Sequence, residues 1–372
     1  MKFVIITHVP HGFINKEYFA YAPYVREMNI WTKFADAVEI VAPLGLNQKT
    51  AIDLAYDHQR IAFNKIQSMD LLGFRSVVKA LLQTPVTAFK IFQAMRHADH
   101  IHLRCPGNIG LLGCFMQIFF PKKTKTAKYA GNWDLKAKQP LSYRLQKWIL
   151  NNTFLTKNMQ VLVYGEWEGS SKNIRPFFTA TYHDRDKLAV AERSFSDKIR
   201  FLFVGTLSAG KQPMYVVAII QELLKRNHNV VLDFYGEGAE SQKMKNIVSE
   251  KQLQGRIFFN GNQPEKVVRK AYQQSHFIVL ASKSEGWPKV VAESMFWGCF
   301  PIATAVSCVP YMLDHGNRGI LLTMDIENDT AQIEAILKNS GDYHSKMILG
   351  MEWSRKYTLD LFESQIKVLM QQ

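Results

Sequence analysis

The sequence predicts two doubly wound, Rossmann-like α/β domains facing a cleft, and three observations carry that expectation. At 372 residues the chain is long for one domain, and at roughly 150 residues per domain it suggests two. Short runs rich in β-branched and aromatic residues alternate with longer helix-like segments, the rhythm of strand and helix in turn. Those runs are nearly continuously apolar instead of alternating, so both of their faces must be covered, as in a parallel sheet between two layers of helices.

In the first half the strand candidates are "KFVIITHV" (2–9), "AVEIVAP" (37–43), "HIHLRC" (100–105), "TAKYAG" (126–131) and "QVLVY" (160–164). The second half gives the cleaner series "IRFLFVG" (199–205), "NVVLDFYG" (229–236), "RIFFNG" (256–261), "HFIVLAS" (276–282) and "FPIATAV" (300–306). Between the halves, "GEWEGSSKNIRP" (165–176) has two glycines, two serines and a proline, which marks a connection. The expected domains are therefore 1–170 and 176–350.

Composition narrows the class. Apolar residues make up 47% and charged residues 21%, the balance of a globular protein with sizeable cores. "MKFVIITHVPHG" reads as a first buried strand, not an export signal, and "IGLLGCFMQIFFP" (109–121) is too short to span a bilayer. Cys105, Cys114, Cys299 and Cys308 lack metal-site spacing and are expected as free thiols in a reducing cytoplasm. The net charge of +14 is uneven: residues 1–198 hold 27 Lys and Arg against 15 Asp and Glu. Much of it falls in 121–150, where basic residues alternate with Tyr, Trp and Leu. This is a solvated basic face, a surface for an anionic membrane at the inner face of the cell, or a site for an anionic acceptor. No nucleic-acid motif accompanies it.

In open parallel sheets ligands bind outside the carboxyl ends of the strands, so the loops after the strands are where chemistry is expected. After "FLFVG" comes "TLSAGKQP", which offers Gly205, Thr206 and Lys211 ahead of a helix opened by Pro213. A helix N-terminus with a lysine beside it suits a diphosphate. "YGEG" (235–238) supplies Gly236 but lacks the third glycine of a dinucleotide fingerprint, so it reads as a turn, and "FFNG" supplies Gly261. "SEGWPKVVAE" (284–293) is the richest loop. Pro288 begins a helix that Gly298 stops, placing the free amides near residues 288 to 290, Lys289 included, beside Gly286, where backbone can approach a ligand closely. Glu285 and Glu293 flank this turn. Carboxylates do not bind an anion, so their expected task is to accept hydrogen bonds from hydroxyl groups on either side of it.

The spacing Glu285-x7-Glu293, with "FVGTLSAGK", "YGEG", "FFNG" and "GNRGILL" (316–322), resembles the retaining family 4 glycosyltransferases of the GT-B fold, most strongly over 199–322. The resemblance implies that Lys211 holds the donor diphosphate, Glu293 the ribose hydroxyls, Glu285 the transferred sugar, and the amides near Pro288 to Val290 the distal phosphate. It makes Glu285 and Lys211 the catalytic pair, with no cofactor or metal; the nucleotide sugar is a substrate. It also implies that the C-terminal segment 353–372 crosses back to the first domain. Two departures stand out. Thr206 takes the place of an arginine usual in the family, and "YAGNWD" (129–134) stands where a histidine often follows a first-domain strand. Gly12, Arg104 and Asn132 are the acceptor-side candidates, with His8 and His11 near the first. Asp184 and Asp186 form an Asp-x-Asp, but in a polar connection, not after a nucleotide-binding strand.

The expected function is thus transfer of a sugar from a nucleoside-diphosphate sugar to a saccharide or lipid-linked acceptor, with retention, in surface polysaccharide or glycolipid synthesis. The alternatives are an epimerase or phosphorylase of related architecture, an inactive relative, and a non-catalytic module binding an anionic polymer or membrane.

Overall fold

The computed structural model describes residues 1–50, 52–69 and 73–371. Residues Met1–Phe178, with the chain from Phe362 on, form one compact unit, and Thr179–Leu361 form another.

The first unit contains strands β1 (Lys2–Ile6), β2 (His11–Ile14), β3 (Glu17–Tyr21), β4 (Ala37–Leu46), β5 (Asp53–Ala55), β6 (Ile61–Ile66), β7 (His100–Cys105), β8 (Thr124–Tyr129), β9 (Met159–Tyr164) and β10 (Ile174–Phe177). Its helices are α1 (Ala22–Thr32), α2 (Phe74–Arg96), α3 (Asn108–Met116) and α4 (Leu141–Leu150). The sheet runs β10-β9-β8-β7-β1-β4-β2-β3-β5, with β6 paired to β4. From β10 to β4 every pairing is parallel; β3 pairs antiparallel with both β2 and β5.

Two elements here depart from the sequence reading. Residues 8–13, expected as a loop with ligand contacts, enter a β-hairpin, β2 to β3, whose two-residue turn puts both Asn15 and Lys16 at positive φ, the geometry that matches strand twist. The stretch 165–176, expected as the linker, instead leads into β10, and the unit ends at Phe178. Pro176 sits in that strand because β10 is the edge of the sheet, where a missing N–H costs no ladder bond.

The second unit contains β11 (Ile199–Val204), β12 (Val230–Tyr235), β13 (Ile257–Phe259), β14 (Phe277–Leu280), β15 (Phe300–Thr304) and β16 (Ile320–Leu322). Its helices are α5 (Pro213–Lys225), α6 (Ser241–Glu250), α7 (Glu265–Gln274), α8 (Lys289–Phe296), α9 (Val309–Met312), α10 (Ile326–Lys338) and α11 (Ser340–Ser354), and α12 (Leu359–Met370) closes the chain. The sheet is wholly parallel in the order β13-β12-β11-β14-β15-β16.

The continuous apolarity of these strands has the expected cause. Phe201, Phe203, Phe234, Phe277 and Phe300 enter a core on one face with α5, α10 and α11, while Leu202 and Ile278 enter a second core with Tyr272, Phe296 and Trp297. Phenylalanines pair across strands, Phe201 stacked on Phe277 at 4.9 Å and Phe277 edge-to-face with Phe300 at 5.5 Å. Each buried ring contributes about 1.5–3 kcal/mol, and each aromatic pair roughly 0.5–1.5 kcal/mol more.

The segment 353–372 divides. Trp353 stacks on Trp287 in the second unit at 5.9 Å, whereas Phe362 packs against Phe177 and Phe178 of the first at 5.4 and 5.8 Å.

Candidate active site

The chain runs from β11 to β12 and β13 on one side, then returns across β11 to β14, β15 and β16 on the other. The order reverses between β11 and β14, and outside the carboxyl ends of strands at such a switch point open α/β sheets bind ligands. Lys211 stands on the loop after β11 and Glu285 on the loop after β14. The structure brings them together: Lys211 Nζ donates to Glu285 Oε1 as an ion pair. The lysine side chain remains 31% exposed and the glutamate 10%. The two loops are also joined through backbone, Lys283 N–H donating to Gly210 O at 2.9 Å.

Beside this pair the loops after β11, β12 and β13 form a floor made of main chain. Gly205 N–H donates to Tyr235 O at 2.9 Å, Gly236 N–H to Gly261 O at 2.8 Å, and Leu207 N–H to Glu237 O at 3.1 Å. A Cβ at Gly236 would lie 2.0 Å from Gly205 O, and one at Gly238 would lie 2.3 Å from Leu207 O. The glycines of "YGEG" are therefore there for backbone stacking on backbone. Thr206 is exposed above this floor.

The loop 284–288 is fixed from several directions. Ser307 Oγ donates to Glu285 O, Cys308 Sγ donates to Gly286 O at 3.0 Å, and Trp287 is buried against Trp353 and Tyr357. Burial pushes the Cys308 thiol up to about 12, so it acts as a neutral donor. Pro288 is the cap of α8, one residue earlier than the first helical position expected for it, and no side chain caps the helix. Its first amides thus have the geometry that receives an anion. The other end is locked: Cys299 N–H donates to Ser294 O at 2.8 Å and Gly298 N–H to Met295 O at 2.9 Å, with Gly298 at φ 68°, a Schellman closure. Arg193 donates to Tyr272 O, Gln273 O and Trp297 O at 3.2, 3.0 and 2.8 Å, tying the ends of α7 and α8 together.

Glu293, on α8, already has protein partners. Oε1 accepts from Thr181 Oγ at 2.6 Å and Oε2 from Tyr272 Oη at 3.0 Å. It is therefore set among hydroxyl donors, as a group reserved for hydroxyls would be, with two of roughly four acceptor positions used. Burial, with the Glu293 charge second, holds the Tyr272 phenol well above its usual range, so it stays a donor.

The first-unit candidates are otherwise occupied. A Cβ on Gly12 would meet the Phe19 ring at 2.1 Å and Leu46 O at 2.7 Å, so this glycine accommodates Phe19 and not a ligand. His11 is buried, with Nδ1 2.8 Å from Val9 O and Nε2 2.8 Å from Tyr56 Oη. Arg104 donates to Glu27 Oε2 at 3.0 Å and lies over the Tyr24 ring, so its charge is already balanced. Asn132 accepts from Asp134 N–H at 2.9 Å within its own turn. Asp186 accepts from His183 N–H and from Arg269, while Asp184 pairs with Lys187. This Asp-x-Asp is part of the frame.

Thr181, Tyr272, Arg193, Ser307 and Cys308 all support the site without having been signalled by the sequence reading. The glycines of "YGEG" were visible in it, as the second strand-end turn.

Comparison with known proteins shows the fold and a partial family match. The fold is that of GT-B glycosyltransferases, two α/β units with parallel sheets. A sucrose-phosphate synthase from Thermosynechococcus elongatus superposes with a TM-score of 0.69 at 17% identity, over 100% of this chain and 98% of that one. Anabaena Alr3699/HepE in complex with UDP and glucose gives 0.70 at 13% identity, over 100% and 99%. Residues 184–348 match the family described as Glycosyl transferases group 1, a stretch that includes Lys211, Glu285 and Glu293. An uncharacterized glycosyltransferase of Haemophilus influenzae is 28% identical over 159 residues, which span 42% of each chain.

Proposed function

We propose that the chain is a retaining glycosyltransferase that moves a sugar from a nucleoside-diphosphate sugar to a saccharide or lipid-linked acceptor in the cytoplasm, in the synthesis of a surface polysaccharide or glycolipid. The observation that carries the reading is the meeting of Lys211 and Glu285 at the switch point of a parallel sheet, beside an uncapped helix start. An arriving diphosphate would draw Lys211 from Glu285, and the released carboxylate would accept from the sugar hydroxyls. Glu293, already among hydroxyl donors, suits the ribose.

In this reading the bond from the anomeric carbon to the diphosphate oxygen breaks, and the acceptor oxygen bonds to that carbon on the same face. The acceptor proton passes to the departing diphosphate oxygen. Lys211 and the first amides of α8 stabilise the charge that grows there, which is why no metal is assigned to the step. Thermal stability measured in chelator against UDP, GDP, ADP and CMP tests it: a ligand at 100 times its Kd adds about 2.7 kcal/mol. Stabilisation by none of them would overturn the reading. Product anomer determination by NMR tests retention, and donor turnover by Glu285→Gln separates an enzyme from a binding module.

A further inference from the structure

Helices α2, α3 and α4 lie over one face of the first unit's sheet, where Ile91, Ile109 and Ile149 from the three share one core with strands β1, β7, β8 and β9. The outer side of this layer is apolar as well. Among the described residues, every large apolar side chain exposed by 60% or more lies on it or on the turns beside it: Leu82, Val86 and Phe89, then Phe119, then Leu141, Trp148 and Phe154. The spacings within α2 (four and three) and α4 (seven) put each set on one side of its helix. They are stripes, and contiguous apolar surface of this kind marks an interaction site.

The charge around the stripes is mostly positive. Residues 71–165 hold 14 lysines and arginines against two carboxylates, Asp99 and Asp134, which accept from Lys2 N–H and Lys136 N–H. Arg104 is paired with Glu27, and Lys125, Lys128 and Lys147 are buried, while Lys122 and Lys157 are exposed, as are Glu166 and Glu168 just beyond. Lys157 Nζ lies 5.2 Å above the Phe154 ring, a cationic tip on an aromatic plate. Beside it opens a cavity of about 510 Å³ lined by Lys122, Lys125, Lys157 and Lys172 with threonine hydroxyls and amides and no carboxylate. A second copy of the chain docked here would set this charge against itself. An anionic lipid surface complements both the charge and the apolar stripes. No described helix is long and apolar enough to cross a membrane, so the contact lies in the interface plane.

We infer that the outer face of α2, α3 and α4 docks on an anionic phospholipid surface, with its aromatic and leucine side chains entering the headgroup region and its lysines meeting lipid phosphates. The inference stands independently of the transferase reading. The test is co-sedimentation of the full chain with vesicles of phosphatidylcholine, with and without phosphatidylglycerol, at low and high salt. The full chain is expected to bind the anionic vesicles at least about tenfold more tightly than the neutral ones, and less tightly as salt rises. Trp148→Ser with Phe154→Ser, and separately Lys122→Glu with Lys157→Glu, should each weaken binding about tenfold or more with an unchanged melting temperature. Ile52→Ser, exposed in the same unit but off this layer, should bind as the parent does. Equal binding to both vesicle types, no binding, or full binding by the variants would overturn the inference. So would a dimer in sedimentation velocity that the Trp148 and Phe154 changes dissolve.

Discussion

Lys211 and Glu285 stand 74 positions apart and hold each other as an ion pair where the loops from β11 and β14 converge. With the lysine 31% exposed, solvent screens the pair, and its loss should change folding stability by less than about 1 kcal/mol. Its effect on ligands should be larger and should differ between the partners. Lys211→Ala removes a charged donor and should weaken nucleoside-diphosphate binding by about 1.5–3 kcal/mol. Glu285→Gln frees the lysine, so diphosphate affinity should hold or rise while kcat falls by roughly 10²–10³. Calorimetric titration alongside turnover checks this, and equal losses of affinity in both variants would sink the idea that Glu285 and the diphosphate compete for Lys211.

Tyr272→Phe leaves Glu293 with one of its two hydroxyl donors. The ring stays buried, so the expected cost is that of a hydrogen bond to a charged group, about 1.5–3 kcal/mol. Thr181→Val should behave alike. A double-mutant cycle read by denaturant unfolding should show coupling between the two, because they anchor the same carboxylate.

Gly236→Ala forces a methyl carbon into a space 2.0 Å from Gly205 O, at φ 137°. Overpacking and a disallowed backbone combine, so a loss of more than about 3 kcal/mol is expected. Gly255→Ala, where nothing lies within 4 Å and φ is ordinary, is the control and should be nearly neutral.

Acid should destabilise the first unit before its carboxylates protonate. Burial lowers His11 and His100 each to about 4, against roughly 6.5 in the unfolded chain. Between those values the unfolded state binds more protons, so stability rises with pH and is lost as pH falls from 6.5 towards 4. The slope should be about 1.4 kcal/mol per pH unit for each histidine. Unfolding measured from pH 7 to pH 5 checks the sign, and His11→Gln should flatten the slope by one proton.

The second unit was legible because its strands are buried on both faces. Phe201 and Leu202 point into different cores, which leaves an unbroken apolar run in the sequence. Lys211 and Glu285 could be read for a related reason: each follows such a run directly, and a proline then marks the helix start. The supports of Glu293 could not. Thr181 lies 112 residues from it and Tyr272 sits in an ordinary amphipathic helix, so only the folded chain joins them. In the first unit the hairpin was hidden because Lys16 takes a positive φ where glycine would have signalled a turn. Arg104 had the charge and position of an anion contact. Its neutraliser, Glu27, is 77 positions away on α1 and carries no local mark.

The stacked turns of Gly205, Gly236 and Gly261 have a consequence for how this protein is dissected. These turns are held together by amides and carbonyls, and side-chain replacement leaves those groups in place. An alanine scan would report the charged residues of the neighbouring loops and pass over the turns themselves. Backbone amide-to-ester exchange at Gly205 or Gly236, which deletes one N–H without touching any side chain, is the perturbation that would make them visible.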